Sequence, residues 1–205
     1  MTASFDRIAD LYRREFAGEL DRKPFDRELL ERVARRFPGG PPVLEVGSGP
    51  AHVGAYLRAR GVRVIASDAS VGQLREARAL DAARPVLAAD LGRLPARAGA
   101  LAGIVAFYCL IYGPAEDLGR VFAEWHRALR PGGVALIAVH AGDGAIHFDE
   151  WFGRTVDVTI VLRDPDTLVA HLEANGFVVD ERTVRPPYED EHQTNRCYVI
   201  ATSSS

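Results

Sequence analysis

The stretch VLEVGSGPAHVGAYL, residues 43–57, runs from an apolar segment through Gly47-Ser48-Gly49 straight into a helical pattern. Glycine has no Cβ, so a strand that ends in two of them can turn sharply and lie close against a ligand. The free N–H groups at the start of the following helix suit carboxylates, hydroxyls or phosphates. Roughly 20 residues further on, VIASDAS ends a second apolar run in Asp68, where open α/β sheets place an acid against ribose hydroxyls. The implied ligand therefore carries a ribose. The dinucleotide fingerprint needs a small third residue for close helix–strand packing, and His52 stands there instead. Glu45, two residues before Gly47, has no place in that fingerprint either. A nucleoside without phosphates suits the turn.

Working outward, short apolar runs alternate with amphipathic stretches. Helices are expected over residues 4–20 and 24–37, followed by the breaker Pro38-Gly39-Gly40-Pro41-Pro42. Strands are expected at 43–46, 62–66, 86–88, 104–108 and 134–139, the last after a Pro131-Gly132-Gly133 turn. Helices at 53–60, 70–80 and 114–129 lie between them. Asp164-Pro165-Asp166 starts another helix, with an N-cap acid and proline in the first turn, and Asn175-Gly176 ends it. Two β-rich runs, 177–184 and 197–202, read as a terminal hairpin. Residues 141–162 are the least regular and read as a cover over the sheet. The fold class is α/β: a doubly wound, mostly parallel seven-stranded sheet with an antiparallel C-terminal hairpin. The chain reads as one domain, with residues 1–38 as an N-terminal helical cap and 141–162 as a substrate cover.

Composition narrows the function. The net charge is -3, acids and arginines are interspersed, and Lys23 is the only lysine. No basic stripe of the kind that binds a phosphate backbone is present, which argues against nucleic acid. No segment approaches about 20 consecutive apolar residues, so a soluble, cytoplasmic protein with no membrane partner is expected. Cys109 and Cys197 lack metal-ligand spacing and read as buried thiols. His140 and His147 with Asp143 and Asp149 offer no i, i+4 ligand pair, so no metal is expected.

With these motifs in order, the chain resembles the class I S-adenosylmethionine-dependent methyltransferases, in their small bacterial branch acting on small molecules. The family's acid-x-Gly-x-Gly motif matches Glu45-Val46-Gly47-Ser48-Gly49, and LRPGG, residues 129–133, matches the turn before the fifth strand. The resemblance implies S-adenosylmethionine as cofactor, with its methionine part beside Glu45, Gly47, Ser48 and Gly49. It also implies Asp68 and Ala69 at the ribose, Asp90 at the adenine amino group, Leu91 beside the base, and Phe107 and Tyr108 lining cofactor and acceptor. The family often has a third glycine where this chain has Ala51.

Methyl transfer from a sulfonium needs position and dryness more than a fixed catalytic group. His140, directly after the fifth strand, is the candidate base, with Tyr108 beside it as the second catalytic candidate. Tyr12, Phe16, Tyr112, His147 and Trp151 are candidates for touching a small-molecule acceptor, Trp151 together with Phe152 as an aromatic lid. His126 and His171 sit on amphipathic helices and read as packing residues. A nucleic-acid methyltransferase would carry (Asp/Asn)-Pro-Pro-(Tyr/Phe) after the fourth strand. Phe107-Tyr108-Cys109-Leu110 stands there, and Arg185-Pro186-Pro187-Tyr188 lies too late and begins with arginine. A non-catalytic S-adenosylmethionine-binding protein would show the same cofactor motifs.

Overall fold

The chain runs α1 (Thr2–Phe16), a 3-10 turn (Glu19–Arg22), α2 (Pro24–Ala34), β1 (Val43–Val46), α3 (His52–Arg58), β2 (Val64–Asp68), α4 (Val71–Leu80) and β3 (Val86–Ala88). It continues through β4 (Leu101–Phe107), α5 (Leu118–Ala128), β5 (Leu129–Ala141), β6 (Ala145–Trp151), β7 (Arg154–Val161), α6 (Pro165–Ala174), β8 (Phe177–Arg185) and β9 (Asn195–Ser203). The computed structural model describes residues 1–37, 39–113 and 117–204. Pro38 of the expected breaker, Pro114, Ala115 and Glu116 of an expected helix start, and Ser205 lie outside them.

Seven strands form one sheet in the order β3-β2-β1-β4-β5-β9-β8, and β6 with β7 form a second, two-stranded sheet. Contacts divide the chain into two units, Met1–Leu91 with Phe148–Val158, and Gly92–His147 with Thr159–Ser205. In the first, β1, β2 and β3 pair in parallel. Val43, Leu44 and Val46 are buried, as are Leu29, Leu30 and Val33 of α2 and Leu57 of α3. A strand covered on both faces reads as a continuous apolar run, which is why β1 was visible in the sequence. In the second unit β4 and β5 are parallel, while β9 runs antiparallel to both β5 and β8. There Phe122 and Trp125 of α5 are fully buried, and the Phe122 ring lies 6.5 Å from that of Phe177 at the start of β8.

The expected parallel sheet and terminal hairpin are present. Residues 141–162 differ from the irregular cover that was expected, because most of them form the β6–β7 hairpin. Phe152 and Gly153 at its tip both have positive φ, 55° and 72°, as a two-residue hairpin turn requires. Phenylalanine in place of asparagine or aspartate hid that turn. In β7 only Val156, Val158 and Ile160 are buried, the period-two pattern of a strand with one covered face. The first helix stops at Phe16, and residues 19–22 form a separate 3-10 turn. β5 begins at Leu129, because Leu129 already pairs with Leu101 before the ladder resumes at Gly103 and Val134. The expected turn at 131–133 is thus an interruption inside a strand. Asp164 caps α6, its carboxylate accepting from Thr167 N at 2.8 Å.

Replacing Phe122 by alanine should reduce the unfolding free energy by about 3–5 kcal/mol, the cost of a large buried ring. Urea denaturation measures it, and a loss below about 1 kcal/mol would show that α5 is not seated on the sheet through this residue.

Candidate functional site

The turn after β1 follows a left-handed path, with φ of 56° at Gly47, 52° at Gly49 and 58° at Ala51. A Cβ at residue 49 would lie in ordinary contact with the Tyr12 ring at 3.4 Å and Gln73 Oε1 at 3.8 Å, so it is the left-handed φ that calls for glycine there. Ala51, fully buried, takes the left-handed conformation that a family glycine would take more easily. Asp68, the last residue of β2, clamps this turn. Its Oδ2 accepts from Gly49 N and its Oδ1 from Ser70 N, each at 2.8 Å. Burial pushes the Asp68 carboxyl above the ordinary aspartate range, and these amides pull it partly back. Ala69 is exposed beside it.

Glu45 lies in the core beneath the turn. It is 2% exposed, and its Oε2 has no hydrogen-bond partner among the described residues. The carboxyl packs against the first turn of α3, where the Gly54 amide bonds to it, and a Cβ at residue 54 would lie 2.3 Å from Oε2. Burial raises its pKa to about 7, against the opposing pull of His52, the Gly54 amide and Arg84. His52 itself binds Glu19 through Nε2 at 2.7 Å, and Lys23 binds Glu19 at 2.6 Å. Burial would raise Glu19, yet these partners bring its pKa down to about 2. His52, which excludes a dinucleotide at the level of sequence, thus has a structural partner in the 3-10 turn.

Helix α1 and the hairpin tip bring the aromatic candidates together in this unit. The Trp151 ring is stacked between Phe148 at 5.5 Å and Phe152 at 5.4 Å, and Tyr12 meets it edge-on at 5.8 Å. Phe16 lies 4.4 Å from Tyr12 and 6.2 Å from Phe152. Polar bonds hold the helix in place: Arg154 to Asp10 at 2.8 Å, Arg13 to Glu76 at 2.5 Å, and Ser70 Oγ and Gly72 N to Asp6 Oδ1 at 2.6 and 2.7 Å. Asp6 was not singled out in the sequence, nor was Gln73. Gln73 is 1% exposed, and neither its amide oxygen nor its nitrogen has a partner among the described residues; the same holds for Ser48 Oγ. These buried polar atoms border a turn whose left-handed backbone is supplied by glycine at 47 and 49. Such a cradle fits a small ligand with carboxylate, amine and hydroxyl groups.

In the second unit, Tyr108 follows β4 with a positive φ of 53°, a conformation that tyrosine rarely adopts and that marks a constrained position. Its ring lies 5.3 Å from His140 and 6.1 Å from Phe107, so three of the candidates meet here. Around them are residues the sequence reading passed over. Tyr108 Oη is 3.0 Å from Tyr198 Oη, which accepts from Arg185 Nη2 at 2.8 Å. Arg185 pairs with Glu191 at 2.7 Å, and Arg196 approaches the same carboxylate at 3.7 Å. His140 Nδ1 lies 2.6 Å from Thr194 Oγ1. The arginine of Arg185-Pro186-Pro187-Tyr188 is thus a buried part of this cluster, its guanidinium 4.1 Å above the Tyr188 ring.

The remaining candidates stand elsewhere. Asp90 is exposed just after β3, and Leu91 is half-buried beside it. Tyr112 is half-buried in the turn after Cys109, its N–H bonded to the Cys109 carbonyl. His147 is exposed on β6 and bonded to Thr159 at 3.0 Å. Cys109 and Cys197 are free and buried, and burial pushes the Cys197 thiol up to about 11. Among the described residues no helix is long and apolar enough to cross a membrane, and no group of three or more His, Cys, Asp or Glu could hold a metal ion.

Residues 43–133 match the family described as methyltransferase domain. The chain is 33% identical over 186 residues to a malonyl-(acyl-carrier protein) O-methyltransferase of Pseudescherichia vulneris, covering 88% of this chain and 64% of that one. It is 31% identical over 147 residues to the protein of the same name from Enterobacter lignolyticus, covering 70% and 54%. It therefore spans between half and two thirds of the length of these relatives. The crystal structure of an S-adenosylmethionine-dependent methyltransferase from Methanosarcina mazei superposes with a TM-score of 0.75 at 15% identity, over 84% of this chain and 97% of that one.

Glu45 binds its proton more tightly folded than unfolded, where its pKa is the ordinary 4.5. Its contribution to stability is complete below that value and is lost as pH rises through about 7. The thermal midpoint should fall between about pH 5 and about pH 8, and Glu45→Gln should flatten that part of the profile. An unchanged slope in the variant would exclude Glu45 as the titrating group.

Proposed function

We propose that the chain is a class I S-adenosylmethionine-dependent methyltransferase and that it methylates a small acyl carboxylate presented as a malonyl thioester. The observation that carries the cofactor half of this reading is the clamp of Asp68 on Gly49 and Ser70. It fixes a turn of bare backbone next to the buried, unpartnered polar atoms of Gln73 and Ser48. Those groups would hold the methionine end of the cofactor, and Asp68 keeps lone pairs for its ribose hydroxyls. Asp90 and Leu91 are assigned to the adenine. Bound S-adenosylmethionine supplies a methyl carbon already activated on a sulfonium, so the chain's task is to orient the acceptor and exclude water.

The acceptor half rests on the relatives, whose names specify O-methylation of a malonyl group on a carrier protein. It is supported by hydrogen-bonding side chains at the ends of β4 and β5, Tyr108 and His140, backed by two buried arginines. A carboxylate is already a nucleophile at neutral pH, so this acceptor requires no base. The rings of Tyr12, Phe16 and Trp151 are assigned to shielding the site of the first unit from water, and Tyr112 and His147 of the second unit to outer contacts with the acceptor.

Incubating the protein with S-adenosylmethionine and malonyl-coenzyme A or malonyl-acyl carrier protein should yield S-adenosylhomocysteine and a malonyl methyl ester, both read by mass spectrometry. Ester on neither thioester, with transfer to a phenol or an amine instead, would reject the carboxylate. Asp68→Ala should weaken S-adenosylhomocysteine binding by about 1–3 kcal/mol, measured by calorimetry. Unaltered affinity would remove Asp68 from the cofactor site.

A further inference from the structure

Two guanidiniums paired with one carboxylate begin two hydrogen-bond chains in the second unit. Arg185 and Arg196 are both buried, and both are paired with Glu191. Glu191 Oε2 also accepts from Tyr188 N at 2.8 Å. An arginine donates and never accepts. Arg196 Nη1, which also bonds the Thr194 carbonyl, therefore occupies a lone pair of Thr194 Oγ1 at 2.8 Å. The hydroxyl still has one proton to place, and His140 Nδ1, 2.6 Å away, is its acceptor among the described residues. If Nδ1 carried the proton instead, both lone pairs of Thr194 would be taken by donors, and the hydroxyl proton would have no acceptor among those residues. A neutral imidazole that accepts at Nδ1 carries its proton on Nε2.

In the second chain Arg185 Nη2 donates to Tyr198 Oη, which lies 3.0 Å from Tyr108 Oη, and either phenol can be the donor of that bond. Both chains begin on Glu191-bound arginines and end on rings 5.3 Å apart.

We propose that Arg196 and Thr194 are positioning residues that fix His140 with its proton on Nε2, making it a hydrogen-bond donor to an anionic oxygen rather than a general base. This role rests on the carboxylate reading above. In that reaction an acceptor oxygen–methyl bond forms as the methyl–sulfur bond breaks, and the electron pair of that bond stays on sulfur. No proton leaves the acceptor, so a base would have nothing to remove. A donor, by contrast, holds one carboxylate oxygen and leaves the other to attack.

The test is the tautomer of His140 in the full chain with S-adenosylhomocysteine bound. Long-range proton–nitrogen correlation reads it, and the ring signals missing from His140→Gln assign it. The expected spectrum shows an unprotonated Nδ1 and a protonated Nε2, and Thr194→Val should abolish that preference. A protonated Nδ1 in the unmodified protein would overturn the proposal. On a malonyl thioester, His140→Gln keeps a donor without a base and should stay within about tenfold of the unmodified turnover, while His140→Ala should lose about a hundredfold. Equal collapse of the two variants would also overturn it. The spectrum needs neither acceptor nor turnover, so inactivity of the unmodified protein on malonyl thioesters would reject the acceptor alone and leave the tautomer decided.

Discussion

One carboxylate sets the geometry on which the cofactor half of the site depends. Asp68 spends an oxygen on Gly49 N and an oxygen on Ser70 N, so the turn after β1 and the start of α4 are referenced to the same side chain. Ser70 then caps α4 at Gln73 and bonds to Asp6 of α1. Three elements distant in sequence are brought into register through a few short charge-assisted bonds. Burying a carboxylate opposes folding, and amide donors are what offset that cost. Along the left-handed path through Gly47, Gly49 and Ala51, only the alanine is in a conformation that costs energy.

Two other buried acids show contrasting solutions to the same problem. Glu191 meets two guanidiniums and the amide of Tyr188, so its charge is matched where it lies. Glu45 has the Gly54 amide and more distant positive charge, and its proton affinity rises to about 7 instead. The first arrangement places two guanidiniums where they donate to the hydroxyls of Tyr198 and Thr194. The second leaves a carboxyl beneath the turn that holds its proton more tightly than an ordinary glutamate does.

What the sequence made legible follows from locality. β1 and β3 are legible to the residue, because a short run between breakers depends on nothing distant. The glycine turn and Asp68 are legible as positions at strand ends, where chemical options are few. The β6–β7 hairpin was hidden by Phe152, an unusual residue for a left-handed turn, although the alternation of Val156, Val158 and Ile160 signalled a strand. Gln73 looked like an ordinary helix residue, since only the fold places it against Gly49. Arg185, Glu191, Thr194 and Arg196 escaped notice because their meaning lies in partners as far away as Tyr108, 90 residues from Tyr198. In the sequence alone Arg185 stands only as the wrong first letter of a methyltransferase motif.

The aromatic cluster has an optical consequence. The chain has only two tryptophans: Trp125 is sealed in the interior, and Trp151 is half-exposed at the hairpin tip, stacked with Phe148 and with Phe152. Their emission separates by solvent access without any attached dye. A water-soluble quencher such as iodide reaches the hairpin indole and spares the other, so light from one molecule reports the state of the aromatic tip and the integrity of the core as two independent signals.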